Sequence, residues 1–427
     1  MRAVVSRITE HRQVLHDIAS VYGVQFANYV LPLVTVPYLA RVLGATSWGL
    51  VAMTQAFAMY GSLAIEYGFV FSATRQIATA KNTREVEDVI AGVSGAKMLL
   101  SGVVIAAATL AFLLIPWFHQ HPLLLWVAVA AEILKASHPS YFFYGVHKIA
   151  VASALDISAR TAAAIGIFIF IHVPQDAWKF FALQAAGGLA ALVAGHAMIS
   201  RSYVLRLPRI AEAWRMLRSG SAMFLFRSAH NIYVLGNAFI LGLFATPQAV
   251  GYYAGAEKIN SAAVGLLSPL STALYPRSAG LAKTSLSKAA SLTKLSLYVM
   301  AAASVALTLL MWFGSEPIVR IVLGHGFLAS ASPFRILSLR APMVAITNVL
   351  GFQWLLALGL EKSFQKITLI ALALNIVLAA CLAPRFSFDG MAWCVVISQT
   401  VAAIGIFLVL RRRKLNPLAM QSDPSYA

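Results

Sequence analysis

Seven cations lie within stretches of this chain that otherwise read as membrane-spanning: Lys97, Lys135, Arg160, Arg227, Lys258, Arg335 and Arg340. A cation near the bilayer centre costs about 2.5–3.5 kcal/mol on insertion scales, so such residues usually face a protein interior or a watery cavity. Only four acids share those stretches: Glu66, Glu132, Asp156 and Glu257. The surplus of positive charge points to a cavity that receives an anion. Arginine suits bidentate phosphate binding and lysine acts as a point charge. Arg227, Lys258, Arg335, Arg340 and Lys135 are therefore the candidate substrate-binding residues.

Spacing refines these assignments. Arg227 has no acid three or four residues away on either side. Arg335 and Arg340 are five apart and point in different directions, so one could face a cavity and the other a neighbouring helix. Lys258 follows Glu257 directly, and adjacent helical residues diverge by about 100°. Glu132 and Lys135, three apart, and Asp156 and Arg160, four apart, can each pair within a helix. For Asp156 and Arg160 a self-neutralised structural pair is the expected reading. Glu66 is the single charge deep in its span, which makes it a candidate for proton or sodium coupling. Pairing with Lys97, or protonation, is the alternative. Arg75, at a membrane edge, is read as an anchor.

The elements that must hold these residues follow from composition. The chain has 427 residues, is 60% hydrophobic and only 11% charged, with a mean hydropathy of +0.77. These values describe an all-α polytopic membrane protein. The apolar runs are helix-length rather than alternating strands of about 10 residues, which excludes an outer-membrane barrel. Twelve helices are expected near 18–40, 46–72, 91–116, 122–146, 150–172, 178–200, 220–244, 248–275, 292–314, 328–359, 364–384 and 388–410. They divide into a six-helix half (1–200), a basic linker (201–219), a second six-helix half (220–411) and a tail (412–427). The net charge of +18 does not indicate nucleic acid, because it falls in short loops at membrane edges. Twenty-two cations collect on one side and four, Arg41, Lys179, Arg320 and Arg385, on the other. The positive-inside rule then places both termini in the cytoplasm.

The halves echo each other. Gly49 and Arg75 recur as Gly251 and Arg277 at an offset of 202, while Asn28 recurs as Asn231 at 203. Ile133-Leu134 with Pro139 recurs as Ile336-Leu337 with Pro342, again at 203. A transporter built from two related halves places its site near the midplane.

Other chemistry is not supported. Cys381 and Cys394 sit in apolar runs, and neither a disulfide framework nor a Cys/His metal spacing is present. The run Gly92 to Lys97 has the wrong spacing for a phosphate loop and opens an apolar helix, so direct ATP hydrolysis is not expected. No enzyme signature and no cofactor motif emerges, leaving a proton or sodium gradient as the candidate driving force.

Residues 28–49, NYVLPLVTVPYLARVLGATSWG, with 65–78, IEYGFVFSATRQIA, resemble the opening of Wzx-type polysaccharide repeat-unit flippases. That family carries Asn-Tyr and Pro-Tyr-Leu in its first helix, then Arg-x-Leu-Gly, and Tyr-Gly-Phe with Ser-Ala-Thr-Arg in its second. Trp48-Gly49 stands where Tyr-Gly or Phe-Gly is more usual, and Phe143-Tyr144-Gly145 replaces a Phe-Gln-Gly. Gly251-Tyr252-Tyr253, Ala256-Glu257-Lys258 and Leu274-Tyr275-Pro276-Arg277 resemble the family's second half. The resemblance implies the multidrug/oligosaccharidyl-lipid/polysaccharide exporter fold in the cytoplasmic membrane of a bacterium. Its implied substrate is an undecaprenyl-diphosphate-linked oligosaccharide, and a polysaccharide polymerase and chain-length regulator are the implied partners. Arg41, Arg75, Asp156, Arg160 and Arg277 take structural or gating roles in this reading.

The competing function is a multidrug or organic-cation antiporter of the same fold. It needs intramembrane acids, yet the first span has none. A membrane glycosyltransferase or polymerase usually needs a sizeable extramembrane loop, and the longest one here on the periplasmic side, near 315–327, is short.

Overall fold

In the computed structural model, the backbone is described for residues 2–420 and the side chains for 31–221, 224, 236–267, 271 and 274–420. No strand occurs among the described residues. The first helix, α1 (Arg2–Glu66), is followed by α2 (Phe69–Ala78), α3 (Thr83–Leu114), α4 (Pro116–Gln120), α5 (Pro122–Ser137), α6 (Ser140–Gly145), α7 (Ile149–Phe170) and α8 (Ala177–Ile199). The second half of the chain forms α9 (Ile210–Leu235), α10 (Asn237–Gly242), α11 (Pro247–Gly265), α12 (Ser268–Thr284), α13 (Leu286–Phe313) and α14 (Ser315–Val322). After these come α15 (Ala331–Ser338), α16 (Arg340–Ile346), a π-helical stretch (Thr347–Leu355) and α17 (Glu361–Arg412). Each of the twelve expected spans falls on these helices.

Among the described residues, seven helical stretches are long and apolar enough to cross a membrane. Two of them, Leu31–Ala78 and Glu361–Arg412, far exceed the ~20 residues of one crossing. Both are broken inside, at Gly44 (φ 70°, ψ 170°) and at Ser387 (φ 49°, ψ −128°). The Gly44 conformation is one that residues with a Cβ avoid, so a glycine ends the first span here. The outward faces are apolar: on α3, Met98, Val103, Leu113 and Leu114 are all more than 60% exposed. So much bare hydrocarbon on a long helix is a lipid-facing surface.

The structure departs from simple rods at five expected spans, the first being 46–72, which turns at Tyr67 and Gly68 between α1 and α2. Pro139 stops α5 before α6, because proline lacks the N–H and disfavours helix in the residue before it. Breaks also separate α9 from α10, α11 from α12, and α15 from α16. The stretch after α16 is wound with wider turns: the Leu356 N–H donates to the Gly351 carbonyl at 3.3 Å and the Leu360 N–H to the Leu355 carbonyl at 3.0 Å. Non-helical backbone at membrane depth is tolerated only where protein or a cavity satisfies it.

Contacts divide the chain into two units: Met1–Leu43 with Met53–Asn231, and Gly44–Ala52 with Ile232–Ala427. The core of the first is built around Phe69, Ile90, Val93, Tyr141, Phe142 and Phe143. The core of the second gathers Leu350, Trp354, Leu355, Ile367, Ile406 and Leu410. Inside the second unit, the repeat-related Gly49 and Gly251 lie at one helix crossing. A Cβ on Gly49 would stand 1.7 Å from the Pro247 carbonyl oxygen, and one on Gly251 1.9 Å from that of Ala45. Backbone meets backbone there, which only glycine allows.

The linker is packed on the first unit. Arg206 forms ion pairs with Asp88 at 2.6 Å and Glu212 at 2.9 Å, and the Val204 N–H donates to Glu87 at 2.8 Å. The hydrogen bonds from Arg206 hold the Glu212 carboxyl below its usual range. At the start of α3, the Asn82 side chain accepts from the Glu85 N–H at 2.9 Å as the N-cap, while the Glu85 carboxylate accepts from the Lys81 N–H at 2.9 Å.

Candidate functional site

Six helices of the first unit converge on a polar cavity of about 210 Å³, whose charged lining is Glu66, Lys97, Lys135, Asp156 and Arg160. His138, Ser140, Tyr144 and Ser153 add neutral polar groups. A smaller cavity of about 100 Å³ shares Lys135, His138, Asp156 and Arg160 and reaches Gln184 and Gly188 of α8. These four residues thus stand between two spaces.

Each charge has a definite local environment. Lys97 is buried, and its ammonium donates to the carbonyls of Ala136 at 2.7 Å and His138 at 3.1 Å. It also lies 5.1 Å from the centre of the Tyr141 ring. Pro139 leaves carbonyls at the end of α5 without helical partners, and a cation at a helix C-terminus satisfies them. Lys97 is thus engaged by backbone, and the alternative pairing with Glu66 does not form. Glu66 makes no hydrogen bond or ion pair among the described residues. Its chain position explains its orientation: Tyr67 (φ 44°) and Gly68 (φ 77°) turn the backbone between α1 and α2.

The two expected intrahelical pairs are present. Lys135 meets Glu132 at 3.1 Å, with the glutamate side chain only 5% exposed and the lysine 40%. The Nε of Arg160 donates to both carboxylate oxygens of Asp156 at 2.9 Å. A pair inside a helix costs little ordering, because the backbone already sets its separation. Among the described intramembrane charges of this unit, three cations face three acids.

In the second unit the arrangement differs. On α11, the Ser261 hydroxyl donates to Glu257 at 2.6 Å, and Arg340 donates to that hydroxyl at 3.4 Å. Arg335 donates through Nε and Nη2 to the Ser315 hydroxyl at 3.2 and 2.9 Å, and Glu316 lies 3.9 Å away. Lys258 is half-buried and has no hydrogen-bond or ion-pair partner among the described residues. Asn260 is fully buried; its amide donates to the Met311 sulfur at 3.6 Å, and its oxygen has no partner among the described residues.

Of the remaining candidates, Arg41 on α1, Arg75 on the last turn of α2 and Arg277 on α12 are exposed. Arg227 lies on α9, and its side chain is outside the described residues, as are those of Asn28 and Asn231. Neutral polar residues were missed by a reading that followed charge: His138, Tyr144, Gln184 and Ser261. His138 had a signal, since a His-Pro step inside an apolar run forces non-helical backbone that must line something. Ser261 had a weaker one, standing four residues after Glu257 on the same helical face.

The long apolar helices, the exposed apolar faces and the charged interior define a multi-pass, all-α membrane protein. Its fold is that of known transporters. The structure is similar to a lipid II flippase MurJ in an inward closed conformation, with a TM-score of 0.72 at 16% identity, covering 93% of this chain and 87% of the other. It is also similar to an inward-facing multidrug resistance MATE family transporter of the MOP superfamily, with a TM-score of 0.67 at 13% identity over 92% and 96%. The sequence matches the family described as polysaccharide biosynthesis protein over residues 14–282, and the chain belongs to that family. A "Putative O-antigen transporter" of Escherichia coli (strain K12) is 29% identical over 92% of this chain and 95% of its own length. One of Shigella dysenteriae under the same description is 24% identical over 92% and 98%. These relatives and structural neighbours are described as transporters and a flippase.

Proposed function

We propose that the protein turns an undecaprenyl-diphosphate-linked oligosaccharide repeat unit from the cytoplasmic to the periplasmic leaflet of a bacterial inner membrane, by alternating access. The observation that carries this reading is similarity to O-antigen transporters along 92% of the chain. Physical chemistry supports it: a glycan cannot cross hydrocarbon unaided, and a diphosphate needs cationic partners. Lys135, Arg227, Lys258, Arg335 and Arg340 are the cations assigned to supply that charge. Glu66 is the coupling residue for a proton or sodium gradient, supported by its place in a polar cavity without a hydrogen-bond or ion-pair partner among the described residues. Arg41, Arg75, Asp156, Arg160 and Arg277 have structural or gating roles. Both termini lie in the cytoplasm, and the two six-helix halves joined by the basic linker are the moving bodies. A polysaccharide polymerase and chain-length regulator use the product.

The test is the leaflet location of lipid-linked oligosaccharide after deletion of the gene, in cells whose downstream polymerase is intact. Cytoplasmic-face accumulation, with surface glycan lost and restored by the gene, is the expected result. Unchanged export in a strain without a redundant flippase refutes the proposal. The fold is shared with a multidrug transporter, so that outcome directs the next assay to drug antiport.

A further inference from the structure

We infer that the cavity of the first unit is a subsite for one uncharged sugar ring of the transported glycan, read by the Asp156–Arg160 pair together with Lys135 and Gln184. The inference rests on the flippase reading and extends it: it moves Asp156 and Arg160 from a structural or gating role, and Lys135 from the diphosphate-binding set, to a specificity-determining role.

Charge is the first argument. The described intramembrane ions of this unit are Lys97, Lys135 and Arg160 against Glu66, Glu132 and Asp156. Lys97 is engaged by two carbonyls, Lys135 by Glu132 and Arg160 by Asp156. A site neutralised from within has no net attraction for a diphosphate or a uronate. It still presents strongly polar edges, because the Asp156 and Arg160 side chains remain 34% and 40% exposed and that of Lys135 40%. Carboxylate and guanidinium edges side by side match a sugar's neighbouring hydroxyls, which donate and accept at once.

Shape and lining are the second. The main cavity, about 210 Å³, falls below the ~300–1,000 Å³ of drug-sized ligand sites, so it takes one ring rather than an oligosaccharide. Tyr144 contributes aromatic surface, while His138, Ser140 and Ser153 contribute neutral donors and acceptors. The adjoining space carries Gln184 across the same ion pairs.

The test uses the purified full-length protein in nanodiscs and saturation-transfer NMR, with glucose, N-acetylglucosamine and glucuronate as probes. Neutral sugars are expected to receive saturation and to compete with one another, with glucuronate at least tenfold weaker. In Asp156→Asn/Arg160→Gln, two amides replace the ion pair without leaving a lone charge, and the response is expected to fall at least tenfold while the protein remains monodisperse. Gln184→Leu, which leaves the ion pairs intact, is expected to weaken binding severalfold and guards against a folding artefact in the double variant. Equal responses in wild type and variants, preference for glucuronate, or no response to any probe each overturn the inference. Because binding is read without flipping, the result stands apart from the leaflet assay: export can fail its test while sugar binding holds, and the reverse.

Discussion

The Gly49–Gly251 crossing makes a quantitative demand. Replacing Gly49 by alanine sets a Cβ 1.7 Å from the Pro247 carbonyl oxygen. An ordinary C–H···O contact is ~3.3–3.6 Å, so the helices must part by about 1.6–1.9 Å at this point. The obstructing atom is backbone, which cannot rotate away as a side chain would. Overpacking of this kind costs ~1–3 kcal/mol, and a backbone obstacle places it at the upper end. At ~2–4 °C per kcal/mol for a unit of about 200 residues, ~3 kcal/mol lowers the melting temperature by ~6–12 °C. Gly251→Ala should behave alike, since its Cβ would stand 1.9 Å from the Ala45 oxygen. Gly102→Ala on α3 is the control, with nothing within 4 Å of the new Cβ; helix propensity makes it neutral or stabilising by up to ~1 kcal/mol. The assay is thermal unfolding of detergent-solubilised protein followed by size-exclusion chromatography. If Gly49→Ala and Gly251→Ala melt with Gly102→Ala, the backbone crossing is not there.

Lys97→Met removes two hydrogen bonds from a charged donor, each worth ~1.5–3 kcal/mol, but also relieves the burial of a charge. The net expectation is a loss of ~2 kcal/mol, read as a fall of ~4–8 °C in melting temperature; an unchanged melt removes its capping role. The Trp354 indole donates to the Leu415 carbonyl at 2.9 Å, and Lys294 bonds the Met420 carbonyl. Truncation after Lys414 should therefore lower stability by a few degrees, with Trp354→Phe giving the smaller share, ~1 kcal/mol. Glu212 has a depressed carboxyl pKa, caused first by its hydrogen bond from Arg206. Its stabilisation is complete above the unfolded value of ~4.3 and is lost as pH falls through the lower folded value. The melting temperature should thus drop below about pH 4.3, and less steeply in Glu212→Gln. Lys258 has no partner among the described residues, so Lys258→Ala should impair glycan export without lowering the melting temperature, and Lys258→Arg should restore part of the export.

Helices and their membrane setting were legible because they follow from hydrophobicity and length, which each segment carries by itself. Gly44 and Pro139 were visible as residues, and their effects follow from φ/ψ limits. The pairs Glu132–Lys135 and Asp156–Arg160 were legible for the same reason: helical spacing fixes their distance before tertiary structure forms. The role of Lys97 was not legible. Its partners are backbone carbonyls 39 and 41 residues away in sequence, and no side-chain pattern marks a carbonyl. The π-helical stretch was equally hidden, since Thr347–Leu355 has the composition of an ordinary span. The repeat was found as an offset of 202; that Gly49 and Gly251 meet at one crossing is a consequence of packing which the offset does not contain.

The seven intramembrane cations began as one group, and the structure divides them by what each one touches. In the first unit, Lys135 and Arg160 pair with Glu132 and Asp156, and the unpaired Lys97 and Glu66 offset each other in number only, so the described charges leave no excess. In the second unit, Lys258, Arg335 and Arg340 share their spans with Glu257 alone, and Glu316 lies at a loose 3.9 Å from Arg335. The surplus that argues for an anionic head group therefore resides, among the described side chains, in the second unit. A lipid-linked glycan has the same division of character, an anionic diphosphate at one end and hydroxyl-rich rings at the other. A unit rich in unmatched cations suits the first, and a unit whose charges are paired into polar edges suits the second. On this argument, neutralising substitutions in the second unit should weaken capture of every diphosphate-linked substrate alike. Substitutions around Asp156 and Arg160 should change which glycans are accepted.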